Sequence, residues 1–442
     1  MTQKKVLVIG LGDSGKAACE YLLGLGYSVT GVDSAWERED LRSLPTMTIG
    51  PDRAAYCLEE YAYIVVSPGI SQKHPLYVEA LKRGIPIFGD TQLIMQKLAQ
   101  PCIGITGTKG KTTLTLFVEH LLQTASVSAC AVGNVGYPFA RYVLDKGFSS
   151  NEVLVCELSS YQLETLTAKT LDIGVILQIT PDHMDRYDTF EHYAETKLKM
   201  AHCIKPEGLL IVHSEVALAF SSQLESCLGN VITIPSLFTN PCEDSYLQLT
   251  KNREYCDFLG PCLEKMLGVE VLYVAKTIAD RLSIKKEHLL EAINTFTKPS
   301  HRLEWVADIE TIRFVNDSKA TNVESVIYAV KALRGDLLLI VGGRDKNLDF
   351  GPWKKSFANR VRKLFIIGEA ATKIYNVMHE ACDVELCKDL EEATRKAFFS
   401  AKKQESIVLS PGCASFDHYK NYAHRGESFK EIVQALKKEC SR

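Results

Sequence analysis

The chain has 442 residues, of which 46% are hydrophobic and 24% charged, and a formal net charge of −3. This is the profile of a globular protein too long for one ordinary core. It offers no global attraction to nucleic acid or to an anionic membrane, so an anionic ligand has to be held by local devices. No apolar run approaches the roughly 20 residues of a membrane span.

"VLVIGLG" near the N-terminus is short and meets Asp13, so it reads as a buried strand and not as a signal peptide. The fourteen cysteines form no C-x-x-C pair and are expected to be buried thiols in a reducing cytosol. In the first segment, residues 1–93, Lys4–Ile9 is expected as a strand, Asp13–Leu25 as a helix and Ser28–Val32 as a second strand. Ala62–Val66 and Ile85–Phe88 read as further strands. The loop "GLGDSG", Gly10–Gly15, is G-x-G-x-x-G after a strand, and Asp33 closes the next strand, where a ribose hydroxyl is often bound. This motif fits a dinucleotide, another nucleotide diphosphate, or a plain tight turn. "SPGI", Ser67–Ile70, follows another strand and would add N–H donors to the same ligand.

The second segment, 94–298, opens with the strand Cys102–Ile105 running into "GITGTKGKTT". Gly104, Gly107 and Gly110 would let backbone approach a phosphate, Lys111 would place a cation on it, and Thr112 would offer a hydroxyl to Mg²⁺. The Walker pattern puts its first glycine where Ile105 stands, so this is a variant loop in the right strand–loop–helix setting. Val153–Cys156, Ile173–Leu177 and Leu209–Val212 are apolar runs suited to a buried parallel sheet. Glu157 follows the first of them, at a strand's carboxyl end, where it can ligate Mg²⁺. "TPDHMDRYDTFEHYAETKLKM" carries His183 in an acidic turn and Lys197 on a helix; residues 220–265 are poorly patterned.

The third segment, 299–442, alternates strands (Ile312–Val315, Leu337–Val341, Leu364–Ile367, Ile407–Leu409) with helical stretches. The expected fold is therefore three α/β domains with parallel sheets, the outer two Rossmann-like and the central one of P-loop ATPase type.

Taken together, "GITGTKGKTT", "GNVG", "ELSSYQLE", "DHMDRY", "PSHRLE", "NDSKATN" and "SPGCASFDHYKNYAHRG" resemble the Mur ligases of bacterial peptidoglycan synthesis, most closely their D-glutamate-adding branch. The resemblance implies a cytoplasmic, monomeric, ATP-dependent ligase that joins D-glutamate to UDP-N-acetylmuramoyl-L-alanine through an acyl phosphate, with ATP, two Mg²⁺ ions and a carbamylated Lys197. It implies that Lys111, His183, Lys197 and Lys319 serve the chemistry. Gly107, Thr108, Lys109, Gly110, Lys111, Thr112, Thr113, Arg302 and Asp317 would take ATP. Thr112, Glu157, His183 and the Lys197 carbamate would hold or position metal. The UDP substrate would meet Gly12, Asp13, Ser14, Gly15, Asp33, Ser67, Pro68, Gly69, Asn134, Ser159 and Gln162; D-glutamate would meet Thr321, Lys346, Ser415 and Tyr422. His301 and Arg302 would mark the hinge into the third domain. The resemblance departs at Met266–Asp280, which lacks the family's adenine-contacting H-N stretch. Readings outside this one are another ATP-dependent amide ligase, a P-loop regulatory ATPase, and an NAD-dependent dehydrogenase resting on "GLGDSG" alone.

Overall fold

The computed structural model describes residues 3–42, 48–52, 56–148, 151–184, 186–239, 248–249, 251–252, 254–264, 267–333, 335–345 and 348–440. The chain divides into two compact units, Met1–Phe296 and Thr297–Arg442.

The first unit holds two sheets. One contains β1 (Lys5–Ile9), β2 (Ser28–Asp33), β3 (Thr48–Pro51), β4 (Tyr61–Val66) and β5 (Ile87–Gly89), in the order β3-β2-β1-β4-β5. The other contains β6 (Cys102–Thr106), β7 (Ala129–Gly133), β8 (Val153–Glu157), β9 (Leu171–Ile176), β10 (Ile204–His213) and β11 (Asn230–Ile234), in the order β11-β10-β9-β6-β8-β7. Every pairing in both sheets is parallel. Covered on both faces, the central strands become continuous apolar runs, and β6 is buried at each of its residues. Ligand crevices in such sheets open at the carboxyl ends of neighbouring strands whose connections leave in opposite directions. In the first sheet these are β1 and β4. In the second, β6 leads to β7 on one side and β9 to β10 on the other.

The second unit holds β12 (Glu304–Ile309), β13 (Ile312–Asn316), β14 (Leu337–Gly342), β15 (Val361–Ile367), β16 (Asp383–Leu386) and β17 (Ser406–Leu409), in the order β12-β13-β17-β14-β15-β16. This corrects the expectation of a wholly parallel sheet: β12 and β13 form an antiparallel hairpin at its edge. The poorly patterned 220–265 stretch contributes β11 at the edge of the second sheet, largely exposed along its length, and the helix Cys256–Glu264. An exposed edge strand lacks the alternation that would have signalled it.

Candidate active site

In the second sheet, β6 ends at Thr106 and the chain turns through Gly107, with φ of 143°, and Gly110, with φ of 79°, into the helix Lys111–Thr124. These are backbone conformations that side chains resist, so the glycines make the turn possible. Gly104 does something else. It lies inside β6, and a methyl there would stand 2.7 Å from Leu171 Cδ1, so it is a packing glycine and not part of the phosphate loop as expected.

The loop is pinned across the crevice to the chain after β9. Thr108 N donates to Gln178 O at 2.8 Å, and Thr108 Oγ1 donates to Thr180 O at 3.0 Å while accepting from Thr180 N at 3.0 Å. Lys111 Nζ lies across the loop's mouth and donates to Gly107 O at 2.9 Å and Thr108 O at 3.1 Å. Thr112 is buried in the helix's first turn and Thr113 half-buried beside it; Lys109 is half-buried in the loop.

Opposite stands Glu157, at the end of β8 and 1% exposed. Its Oε1 accepts from Asn134 Nδ2 at 2.7 Å, and its Oε2 is buried with no hydrogen-bond partner. A buried carboxylate oxygen without a partner is costly unless a cation or donor joins it. Such an oxygen suits a hard divalent cation, which takes oxygen ligands. Among the described residues, no group of three or more His, Cys, Asp or Glu side chains forms a ready cage; Mg²⁺ commonly shares such sites with phosphate oxygens and water.

Lys197, on the helix Phe190–Leu198, is 1% exposed, with its ammonium 4.9 Å from the centre of the Tyr193 ring. Burial pushes its pKa well below the usual lysine value, the charge of Lys111 pushes the same way, and Asp182 and Glu157 oppose them. Asp182 is biased the other way: burial alone would raise its pKa, but Lys109, His183 and Lys111 hold it below the ordinary aspartate value. His183 has φ of 57°, is exposed, and shares a 2.7 Å hydrogen bond between its Nδ1 and Tyr161 OH. Lys109, Lys111, Glu157, Asp182, His183 and Lys197 thus gather at one crevice. Asp182, Tyr161 and Tyr193 were not anticipated from sequence, although the D-H pair in "TPDHMDRY" was the available signal.

The first sheet carries the other glycine loop. Asp33 Oδ2 accepts from Leu11 N at 2.6 Å and its Oδ1 from Ala35 N at 2.9 Å, so the carboxylate anchors two loops at once. Ser67 Oγ donates to Gly10 O at 2.8 Å, tying "SPGI" to the same place. Gly12 precedes the helix Asp13–Gly24, and Gly15 packs against the Gly10 carbonyl so closely that no side chain fits. Pro68 and Gly69 form the outer part of the Ser67 turn. Beside Asp33 lies a cavity of about 270 Å³ lined by Ser34, Ala35, Trp36, Glu37 and Arg38. Trp36 is exposed there, an aromatic after a strand end that sequence reading passed over. Ser159 and Gln162 form a capping box at the helix Ser160–Leu163.

In the second unit, Lys319 Nζ stands 3.8 Å over the Tyr422 ring, and Ser318 Oγ donates to Tyr422 O at 2.8 Å. Arg425, fully buried, donates to Ser318 O and Cys413 O and locks these segments together beside the buried Ser415. Thr321 is half-buried. Asp317 is buried, accepting from Ser410 Oγ at 2.9 Å and Leu303 N at 3.2 Å; burial lifts its pKa to about 7 against the opposing pull of these bonds and of Arg302 and Lys298. His301, with φ of 66°, packs on Asn316. Lys346 lies outside the described residues.

A parallel sheet with a phosphate-type glycine loop shares the first unit with a Rossmann-like sheet, and a separate α/β unit follows in sequence. Residues 4–89 match the MurD-like N-terminal domain of Mur ligases, 105–235 the Mur ligase middle domain, and 301–413 the Mur ligase glutamate ligase domain. The chain is 37% identical over 441 residues to the UDP-N-acetylmuramoylalanine–D-glutamate ligase of Protochlamydia amoebophila, covering 98% of each chain. It is 34% identical to the enzyme of that name from Caldanaerobacter subterraneus subsp. tengcongensis, covering 99% of this chain and 100% of that one. The MurF ligase from Thermotoga maritima, solved with ADP, shares the fold with a TM-score of 0.59 at 12% identity, over 99% of this chain and 96% of that one. The chain belongs to the Mur ligases, in the branch of the UDP-N-acetylmuramoylalanine–D-glutamate ligases.

Proposed function

We propose that this chain catalyses the ATP-dependent addition of D-glutamate to UDP-N-acetylmuramoyl-L-alanine in the cytoplasm, as a step of peptidoglycan precursor synthesis. The observation that carries the reading is the pairing of Lys111, laid over a glycine loop, with the buried and partly unpartnered Glu157. A free carboxylate is a poor electrophile at neutral pH. Phosphorylation by ATP gives it a leaving group, the D-glutamate amine attacks the acyl phosphate, and phosphate departs as the amide forms. Two anions have to meet in the first step, so cations must screen them.

Residues 94–298 serve ATP. The backbone from Gly107 to Gly110 and the helix that follows cradle phosphates, while Thr113, Lys109 and Thr112 flank them. Lys111 stabilises the transferred phosphoryl group. Glu157, Thr112, His183 and a carbamate on Lys197 would hold or position Mg²⁺, which supplies further charge on the phosphates when bound. Lys197 suits carbamylation because burial and Lys111 favour its neutral amine, the form that reacts with CO₂. The product is anionic and oxygen-bearing, converting a misplaced positive charge into a metal-positioning carboxylate.

Residues 1–93 take the UDP moiety through Gly12–Gly15, Asp33 and Ser67–Gly69, with Trp36 and Arg38 walling the nucleoside side. Asn134, Ser159 and Gln162 face the muramyl–alanine arm. Residues 299–442 hold D-glutamate, one carboxylate on Thr321 and Lys346 and the other near Ser415 and Tyr422, with Lys319 adding charge. Arg302 and Asp317 serve ATP phosphate and ribose.

The test is phosphate release and amide formation from ATP and UDP-N-acetylmuramoyl-L-alanine across a panel of D- and L-amino acids. The reading expects both products with D-glutamate alone. Phosphate release independent of any amino acid would favour a regulatory ATPase, and product with another amino acid would move the chain to a different amide ligase.

A further inference from the structure

The motifs around the site contain two residues that the chemistry above leaves unused: Glu164, closing "ELSSYQLE", and Arg186, in "DHMDRY". They form an ion pair with side chains only 6% and 9% exposed. The geometry is a fork on a fork: Arg186 Nε donates to Glu164 Oε1 at 2.8 Å and Nη2 to Oε2 at 2.6 Å. Tyr187 OH donates to Glu164 Oε1 at 2.8 Å and fixes the carboxylate from another side. A buried pair of this kind returns its desolvation cost only when the remaining donors are also used. Here two of them are, by the other sheet's loop. Arg186 Nη1 donates to Pro68 O at 3.0 Å and Nη2 to Ile70 O at 2.8 Å.

The guanidinium also lies over the Tyr161 ring, 4.0 Å from its centre, and the hydroxyl of that tyrosine is the partner of His183 Nδ1 at 2.7 Å. The void left at this junction is only about 10 Å³, at most what one water needs.

We propose that Arg186 is a positioning residue that mounts the Ser67–Ile70 loop and His183 on one rigid support, so that the loop reading the UDP moiety and the group beside the transferred phosphate are set by the same side chain. It has two arms. One runs through the carbonyls of Pro68 and Ile70 and acts on UDP-substrate binding. The other runs through Tyr161 and acts on His183. A lysine would keep the charge but lose the planar fork and the ring stacking.

The inference rests on the reading of the Ser67–Ile70 loop as part of the UDP-substrate site, and the wild-type assay with UDP-N-acetylmuramoyl-L-alanine tests that reading separately. Steady-state constants for Arg186→Lys, Glu164→Gln and Tyr161→Phe, with thermal unfolding of each, test the proposal. Arg186→Lys is expected to raise KM for the UDP substrate about tenfold or more and to lower kcat, with KM for ATP changed less than about threefold. Glu164→Gln should show the same pattern more weakly. Tyr161→Phe should lower kcat and leave KM for the UDP substrate in place, and its kcat effect should not multiply with that of Arg186→Lys, because both pass through His183. If Arg186→Lys does not fold, the Tyr161→Phe and Glu164→Gln split carries the same decision. Equal rises in KM for ATP and for the UDP substrate, or folded variants with wild-type constants beside an active wild type, would overturn the proposal. A wild type inactive on the UDP substrate would instead overturn the site reading on which it rests.

Discussion

Two glycine loops in the first unit follow the opening strand of a parallel sheet and lead into a helix, yet their surroundings carry opposite charge. After β1, the helix begins with Asp13, whose side chain is almost fully exposed, and Lys16 is spent on Asp13 and Asp40. At the nearby buried acid, Asp90, burial lifts the pKa to about 6 against bonds from Thr91 and Ser14. After β6, the helix begins with Lys111; Lys109, His183 and Lys111 hold half-buried Asp182 below the ordinary aspartate value, while burial first and then the charge of Lys111 drive Lys197 toward neutrality. Glycine spacing in a loop tells how closely backbone can approach a phosphate. The side chains at the helix start tell whether that phosphate is merely held or is being transferred.

The sharpest way to break this contrast is Lys111→Ala. The lysine touches loop carbonyls and belongs to no core cluster, so thermal unfolding should be nearly unchanged while kcat falls about a thousandfold or more. A folded Lys111→Ala protein with most of its activity would show that the second loop only holds its ligand, as the first does. Next comes Lys197→Ala, expected to lose about a hundredfold to a thousandfold in kcat. A short-chain carboxylate added to the assay should restore part of the loss by taking the place of the carbamate, and intact-mass measurement of the wild type should show one added CO₂. Full activity in Lys197→Ala, or activity indifferent to rigorous CO₂ depletion, would reduce the residue to a buried structural lysine.

The first loop should respond differently. Asp33→Ala removes the acceptor that ties Leu11 N and Ala35 N together, so the loop after β1, proposed to take the UDP moiety, loses an anchor. KM for UDP-N-acetylmuramoyl-L-alanine should rise about tenfold, with KM for ATP within about twofold of wild type. A matching rise in both constants would mean that the loops are not separate in function.

Much of this contrast was legible in the chain itself. Buried parallel strands announce themselves as apolar runs, and most of the strands expected lie within a few residues of those observed, because glycine and proline punctuate them. What stayed hidden has physical reasons. β3, β11 and β16 are short edge strands with exposed residues, and β12 pairs antiparallel in a region otherwise patterned for parallel strands. Gly104 looked like a phosphate glycine because spacing cannot distinguish a backbone turn from a site where Leu171 leaves no room for a side chain. Arg186 and Glu164 meet only through folding, 22 residues apart in sequence, and nothing in a one-dimensional pattern pairs them. Asp90 carries no motif, and its significance comes wholly from burial.

That acid supplies the smallest of the expected effects and a direct measure of the charge around the first loop. The Asp90 carboxyl keeps its proton to about pH 6 in the folded chain but releases it near 3.8 when unfolded. Between those values the folded state binds more protons, so the stabilising contribution is full below 3.8 and is lost as pH rises through about 6. Asp90→Asn cannot ionise. Wild type should therefore lose about 1–3 kcal/mol relative to Asp90→Asn as pH is raised across that window, measured by denaturant unfolding at several pH values. Groups common to both proteins cancel in the difference. A flat difference would mean that a cation reaches Asp90, and the two loops would then differ in their glycines and not in their charge.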